Sequence, residues 1–250
     1  MKHFIFIAFV TLLFGCDSEN ASDCFQTSGT ITQQEVVVSF FDKIRFEDDI
    51  RLIIKQGDIQ QVIIESGENL LNEVSATVID SILVIKNNNS CNLVRDFGIT
   101  KAIVTVSNLI EIRNSSGLEV RSEGVLAYPK LRLLSNTLLS VPDGKNSGDF
   151  HLTLQTNNLR ISANGISVFY LNGEVNKANI IFSDEIPRLE GENLIIQELE
   201  VLQRSSNIMI VNPQLSIIGE IRGIGDIISK NRPPIVDVET FFTGQLIFDD

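Results

Sequence analysis

Tryptophan is absent from this 250-residue chain, and tyrosine, histidine and cysteine occur two, two and three times. Each scarcity excludes something. Sugar-binding modules usually present flat aromatic faces, and Tyr128 and Tyr170 alone supply a stacking platform poorly. The 15 phenylalanines are the aromatic stock, and Phe46, Phe150 and Phe182 fall at inward positions, where they pack a core. Two histidines leave no His-rich metal site, and the closely spaced Cys pairs of a zinc site do not occur. Positive charge is also short: 20 Lys+Arg against 32 Asp+Glu give a net charge of −12. A phosphate backbone needs a basic footprint, so nucleic acid is not an expected partner.

A long hydrophobic run is missing too. The only extended one, Phe4–Phe14 behind Lys2, is about eleven residues, and a spanning helix needs roughly 20. Residues 1–15 therefore read as a secretory signal peptide. Its end, Leu13-Phe14-Gly15-Cys16, resembles a bacterial lipobox, with Phe14 where a small or aliphatic residue is usual. Cys16 is the expected lipidation site, giving a membrane anchor of more than one acyl chain; the alternative is an ordinary signal peptide cut nearby. Residues 16–30 then form a lipidated polar tether that opens with the acidic stretch Asp17–Asp23. Such a stretch resembles a surface-export signal in some Gram-negative lineages, whereas Asp after the lipidated Cys means inner-membrane retention in others. Export places the remaining cysteines in an oxidising compartment. A Cys24–Cys91 disulfide is expected, closing a loop of about 68 residues and stabilising by roughly 4 kcal/mol.

Beyond the leader, period-two alternation dominates and no stretch repeats apolar residues at helical spacing. Residues 31–98 alternate at Ile44/Phe46, Ile50/Leu52/Ile54, Val62/Ile64 and Ile82/Val84, with turns at Gln56-Gly57-Asp58 and Asp80-Ser81. This part reads as irregular antiparallel pairing. Residues 99–250 become repetitive: a short strand, a polar corner, another short strand. Corners at Ser115, Asn136 and Asn157 are 21 residues apart, as are those at Asp184 and Ser205. A unit of that length cannot bury its own apolar face and must stack on neighbours, so a β-solenoid is expected. Asparagine fills many corners because it tolerates left-handed backbone. An antiparallel β-sandwich is the alternative architecture.

The order of several segments resembles the putative auto-transporter adhesin head, or GIN-domain, family of exported bacterial proteins. The opening module is Phe41-Asp42-Lys43-Ile44 through Ile53-Ile54-Lys55-Gln56-Gly57-Asp58, followed by Val62-Ile63-Ile64-Glu65 and Leu83-Val84-Ile85. Cys91-Asn92-Leu93-Val94-Arg95 and Ile103-Val104-Thr105-Val106 resemble its central segment. The family's Gly-Ser-Gly-type corners survive as Ser115-Ser116-Gly117 and Gly223-Ile224-Gly225, whereas the corners at 135–137, 156–158 and 204–206 have lost their glycines. The resemblance implies a right-handed single-stranded β-helix and a cell-surface adhesion role.

No assembled catalytic or cofactor group is visible. β-Helices also host carbohydrate-active enzymes, and Asp184, Glu185, Arg188 and Glu190 could share one coil face; a solvated corner whose opposite charges screen each other is the preferred reading. His151 lies between Phe150 and Leu152 and should point outward, with no G-x-S-x-G context for a nucleophile. The pairs Asp48-Asp49 and Asp249-Asp250 read as turn and terminus charge. Arg222–Asp226 reads as a corner, since no helix follows it to make a dinucleotide site. The expectation is a non-enzymatic lipoprotein of the cell envelope, at the outer membrane or cell surface. It would act in binding, adhesion or structure, its partners being the membrane through its anchor and a surface protein or glycan. The alternative is a carbohydrate-active β-helix lyase or hydrolase.

Overall fold

The computed structural model describes residues 23–89, 91–137 and 144–249. The chain is all-β, with only two single-turn 3-10 helices, Asp23–Phe25 and Leu71–Glu73, among the described residues. Cys16, the expected lipidation site, the expected signal peptide and Asp250 lie outside them. Cys24 and Cys91 are joined as expected, 67 residues apart, which ties the first described turn to the segment after residue 90. Arg95 reinforces that join by donating to the carbonyls of Cys91 (2.7 Å) and Gln26 (3.3 Å).

The first part mixes pairing senses. Strands β1 (Ile31–Glu35), β4 (Gln61–Gly67) and β7 (Lys101–Val106) pair antiparallel in that order. So do β5 (Val74–Ile79) and β6 (Ile82–Asn87). Their turn is the expected one: Asp80 and Ser81 take φ of 51° and 62°, the left-handed pair that a tight hairpin needs. Elsewhere the antiparallel expectation fails. β2 (Lys43–Asp48) runs parallel to β6 and to β8 (Glu111–Ser116), and β3 (Arg51–Gln56) runs parallel to β7 and β9 (Val120–Leu126). The turn after Gln56 closes no hairpin, because β7 inserts between β3 and β4.

From β8 onward every pairing is parallel, which an antiparallel sandwich would lack. β10 (Lys130–Ser135), β11 (Phe150–Ala163), β12 (Val168–Phe182), β13 (Arg188–Gln203) and β14 (Met209–Ile221) pair successively in chain order. β15 (Ile227–Ser229) and β16 (Ile235–Thr240) both join β14, and β17 (Leu246–Phe248) joins β15. Partners are about one rung apart: Phe150 faces Phe169, Leu189 faces Met209, Ile217 faces Val236. The Ser115–Asn136 spacing holds, since Glu111 faces Arg132. Asn157, however, is no corner. It sits inside β11, where the backbone stays paired with β12 on both sides of it, and the corner after Asn136 is Asn164. Between β10 and β11 the step is 28 residues, so Lys130 faces Asn158.

Inward positions of both parts form one apolar cluster running from Phe41 to Ile227. Phe150 and Phe169 stack with centroids 4.6 Å apart, and Phe182 meets Phe169 at 5.8 Å. Phe46, Phe150 and Phe182 are all fully buried, as alternation required. Burial of each such side chain stabilises by about 1.5–3 kcal/mol. The corners that lost glycine use buried hydroxyls instead. Ser205 Oγ donates to the carbonyls of Pro187 (3.2 Å) and Asn207 (3.1 Å), and Ser135 and Ser167 hydroxyls meet at 2.6 Å. At Gly225 the surviving glycine is required, since a Cβ there would lie 2.0 Å from the Asn207 carbonyl oxygen.

Candidate functional site

Alternation fixes which side chains leave the sheet, and parallel in-register pairing decides which of them become neighbours. On β10 the inward Leu131 and Leu133 leave Lys130 and Arg132 outward; on β11 Leu159 and Ile161 leave Asn158 and Arg160. On β12 and β13 the outward residues are Lys177 and Asn179, then Glu198 and Glu200. The pairings place Lys43, Glu111, Arg132, Arg160, Asn179, Glu200, Ile218 and Asp237 in a single row across eight strands. A second row runs Lys130, Asn158, Lys177, Glu198, Ser216. Adjacent members are separated by about 4.8 Å, the strand spacing.

Apart from Glu111 and Asp237, the residues of these rows line a groove of about 690 Å³ on the outer face of β2 and β10–β14. It continues into a second recess that adds Arg45, Glu111, Arg113 and Asn136 and shares Arg132 and Arg160. Together they hold seven of the chain's 20 Lys and Arg and three carboxylates, so the lining is net positive in a molecule of charge −12.

The charges are incompletely matched. Arg132 pairs with Glu111, Lys177 with Glu198 (2.7 Å), and Asn179 Nδ2 donates to Glu200 (2.7 Å). Among the described residues Lys43, Lys130 and Arg160 have no carboxylate at ion-pair distance. Arg160 stands directly beside Arg132, and Arg113 beside Arg45, so like charges face one another in register, an arrangement that costs stability. Arg113 donates to Asn136 through its carbonyl (3.0 Å) and Oδ1 (2.9 Å), and burial holds its pKa below the ordinary value despite the pull of Glu111. Asn179 Oδ1 is enclosed and has no hydrogen-bond partner among the described residues.

The residues weighed from sequence lie elsewhere and do not converge. Arg188 pairs with Glu190 and reaches Asn207 Oδ1 at 3.4 Å, while Asp184 Oδ1 accepts the Glu185 N–H at 3.0 Å, as a corner does. His151 points outward but is half-buried, its ring stacked on Tyr170 with centroids 4.5 Å apart. Burial first, then Arg121, hold its pKa below the ordinary value. The two rings face each other along the row, so His151 covers one face of the Tyr170 ring. Asp48 takes φ of 59° at the β2–β3 corner, Asp49 pairs with Lys145 (2.6 Å), and Asp249 pairs with Lys230. Among the described residues no group of three or more His, Cys, Asp or Glu is placed to hold a metal ion.

The basic groove was missed from sequence because its signal is distributed. Leu131-Arg132-Leu133 and Leu159-Arg160-Ile161 each read as an ordinary strand. Only the 28-residue register between β10 and β11 puts their arginines side by side, and the regular spacing of the corners pointed elsewhere.

Fold and groove together define an all-β protein with one charged, recessed face on a curled, largely parallel sheet. The chain belongs to the family described as putative auto-transporter adhesin, head GIN domain, whose pattern matches residues 40–233. No curated protein matches it. Its fold is similar to that of a putative adhesin from Bacteroides fragilis, at 19% identity and a TM-score of 0.77, covering 89% of this chain and 99% of the other. A putative lipid binding protein from Parabacteroides distasonis has a TM-score of 0.60 at 16% identity, covering 89% and 98%. A putative adhesin from Parabacteroides merdae has a TM-score of 0.60 at 15% identity, covering 89% and 97%.

Proposed function

We propose that this protein is an exported, non-enzymatic binding protein of the cell envelope, anchored through lipid on Cys16 and binding through the groove on β10–β14. On this reading the successive parallel rungs are coils of a right-handed single-stranded β-solenoid, a scaffold that holds outward side chains in fixed rows. The observation that carries the reading is the net positive recess on an otherwise acidic molecule, with Arg132 beside Arg160 and Arg45 beside Arg113 in register. Membership of an adhesin-head family supports a surface location, and the neighbours named as adhesins or as a lipid binding protein are binding proteins by name. A hydrolase would need two carboxylates free to act across a cleft. Those of the groove are instead engaged: Glu111 by Arg132, Glu198 by Lys177, Glu200 by Asn179.

The test uses the full chain in a lipoprotein-processing bacterium. Wild type should partition with membranes and Cys16→Ser should be released. Beads carrying the mature chain should retain intact bacterial cells, and the double variant Arg132→Glu/Arg160→Glu should lose that retention while Arg121→Glu, on a different row, keeps it. Equal retention by both variants and wild type refutes the groove as the binding face.

A further inference from the structure

From the groove's chemistry we infer that its ligand is an extended acidic polysaccharide, a carboxylated glycan held by charge and amide contacts rather than by stacking. This rests on the groove being the binding face and goes beyond it by naming what binds. Cations recur along the rows at the strand spacing of about 4.8 Å, or at twice that, a step close to the advance of one pyranose residue. Lys130 and Arg160 lack anionic partners among the described residues, and the Lys177–Glu198 pair is about half exposed, so all three cations can turn to a ligand at little cost. Arg132 adds a guanidinium that is itself half exposed while its partner Glu111 is nearly buried.

Other occupants fit less well. A peptide strand binds by adding to a free sheet edge, but β10, β11, β12 and β13 are each paired on both sides here. No aromatic ring lines the recess, so nucleobases and neutral sugars find nothing to stack on. A hydroxyl-rich chain instead finds Asn158, Asn179 and Ser216 between the charges. The acidic remainder of the molecule repels a polyanion everywhere else and so confines it to this face.

The experiment is calorimetric titration of the mature chain with oligogalacturonate, with the neutral oligosaccharide of the same linkage, with poly-glutamate and with anionic phospholipid vesicles. Oligogalacturonate should bind, weaken as salt rises, and lose about tenfold in affinity for each of Arg132→Gln and Arg160→Gln. Arg121→Gln, off the groove, should bind as wild type, and near-identical far-UV spectra confirm that the variants are folded. Equal binding of the neutral oligosaccharide, or affinity unchanged in the arginine variants, overturns the proposal. Stronger binding of poly-glutamate or vesicles overturns it in favour of a peptide or lipid. Should the arginine variants lose cell retention while oligogalacturonate fails to bind, the ligand class is wrong and the binding face stands; unchanged retention removes the face itself.

Discussion

Phe169 and Tyr170 are adjacent in sequence and on opposite sides of the sheet, and they give the sharpest test of the stacking. Phe169 is fully buried between Phe150, stacked at 4.6 Å in the preceding rung, and Phe182 at 5.8 Å. Truncating it to alanine removes a whole ring from a layer with no solvent to refill it. The loss should be about 3–5 kcal/mol, toward the upper end because two ring contacts go with it. Tyr170 is 38% exposed and touches chiefly His151, so Tyr170→Ala should cost about 1 kcal/mol. Guanidinium denaturation of the full chain, followed by circular dichroism, compares the two on the same scaffold. Because rungs interact mainly with their neighbours, the slope of the transition must be checked for each variant before midpoints are converted to free energy. A double-mutant cycle with Phe150→Ala should return a coupling of about 0.5–1.5 kcal/mol for the ring pair. If Tyr170→Ala proves as costly as Phe169→Ala, or Phe169→Ala leaves stability within about 1 kcal/mol of wild type, the inward and outward assignment of β12 is wrong. The rows of the groove would fall with it.

Gly173 takes φ of 107° and a Cβ there would lie 2.0 Å from the Leu154 carbonyl oxygen, so Gly173→Ala should cost more than about 2 kcal/mol in thermal unfolding. Gly124, at φ of 83° with open space around it, should tolerate alanine at about 1 kcal/mol. Asp48 has its pKa raised, chiefly by burial and against a hydrogen bond from the Asn87 N–H. Its folded-state pKa exceeds the unfolded one, so its ionisation opposes folding above that range and the penalty vanishes on acidification. Asp48→Asn keeps the acceptor and suits the left-handed backbone, and should therefore raise Tm at neutral pH by an amount that shrinks as pH falls. Replacing Cys24 and Cys91 together by serine should cost about 2–4 kcal/mol in denaturant titration and leave groove binding unchanged. Arg160→Gln should stabilise the fold by about 0.2–1 kcal/mol, measured the same way, because it relieves the like charge of Arg132.

The core was legible because alternation is local. Phe46, Phe150 and Phe182 could be assigned inward from two residues on either side, and Asp80-Ser81 could be read as a hairpin because its strands are sequence neighbours. What failed depended on pairing at a distance. The polar triplet Thr156-Asn157-Asn158 has the composition of a corner, yet its backbone is held straight by β12, and nothing within β11 announces this. The parallel pairing of β2 and β3 with β8 and β9 joins residues some 70 apart, and so was invisible to a reading of adjacent runs. The groove combines both difficulties, since it is made of outward residues, which alternation identifies, in a lateral order that only the register supplies.

That division has a physical consequence for where function resides. In a parallel in-register stack the inward rows carry the stability, and each outward row can change without disturbing the layer beneath it. A face shaped by stability alone would alternate charge down its rows, as Lys177 over Glu198 does. The rungs above do the opposite: Arg132 lies beside Arg160 and Arg45 beside Arg113, with Lys130 on the neighbouring row. Glu111 screens Arg132 and Glu47 screens Arg45 (2.7 Å), and an anion lying over Arg160 relieves the repulsion that remains, so ligand binding and fold stability are linked at this face. An arrangement that costs the empty protein stability and returns it on binding is a property of a binding site, and here two such pairs, Arg132 with Arg160 and Arg45 with Arg113, fall in adjoining recesses.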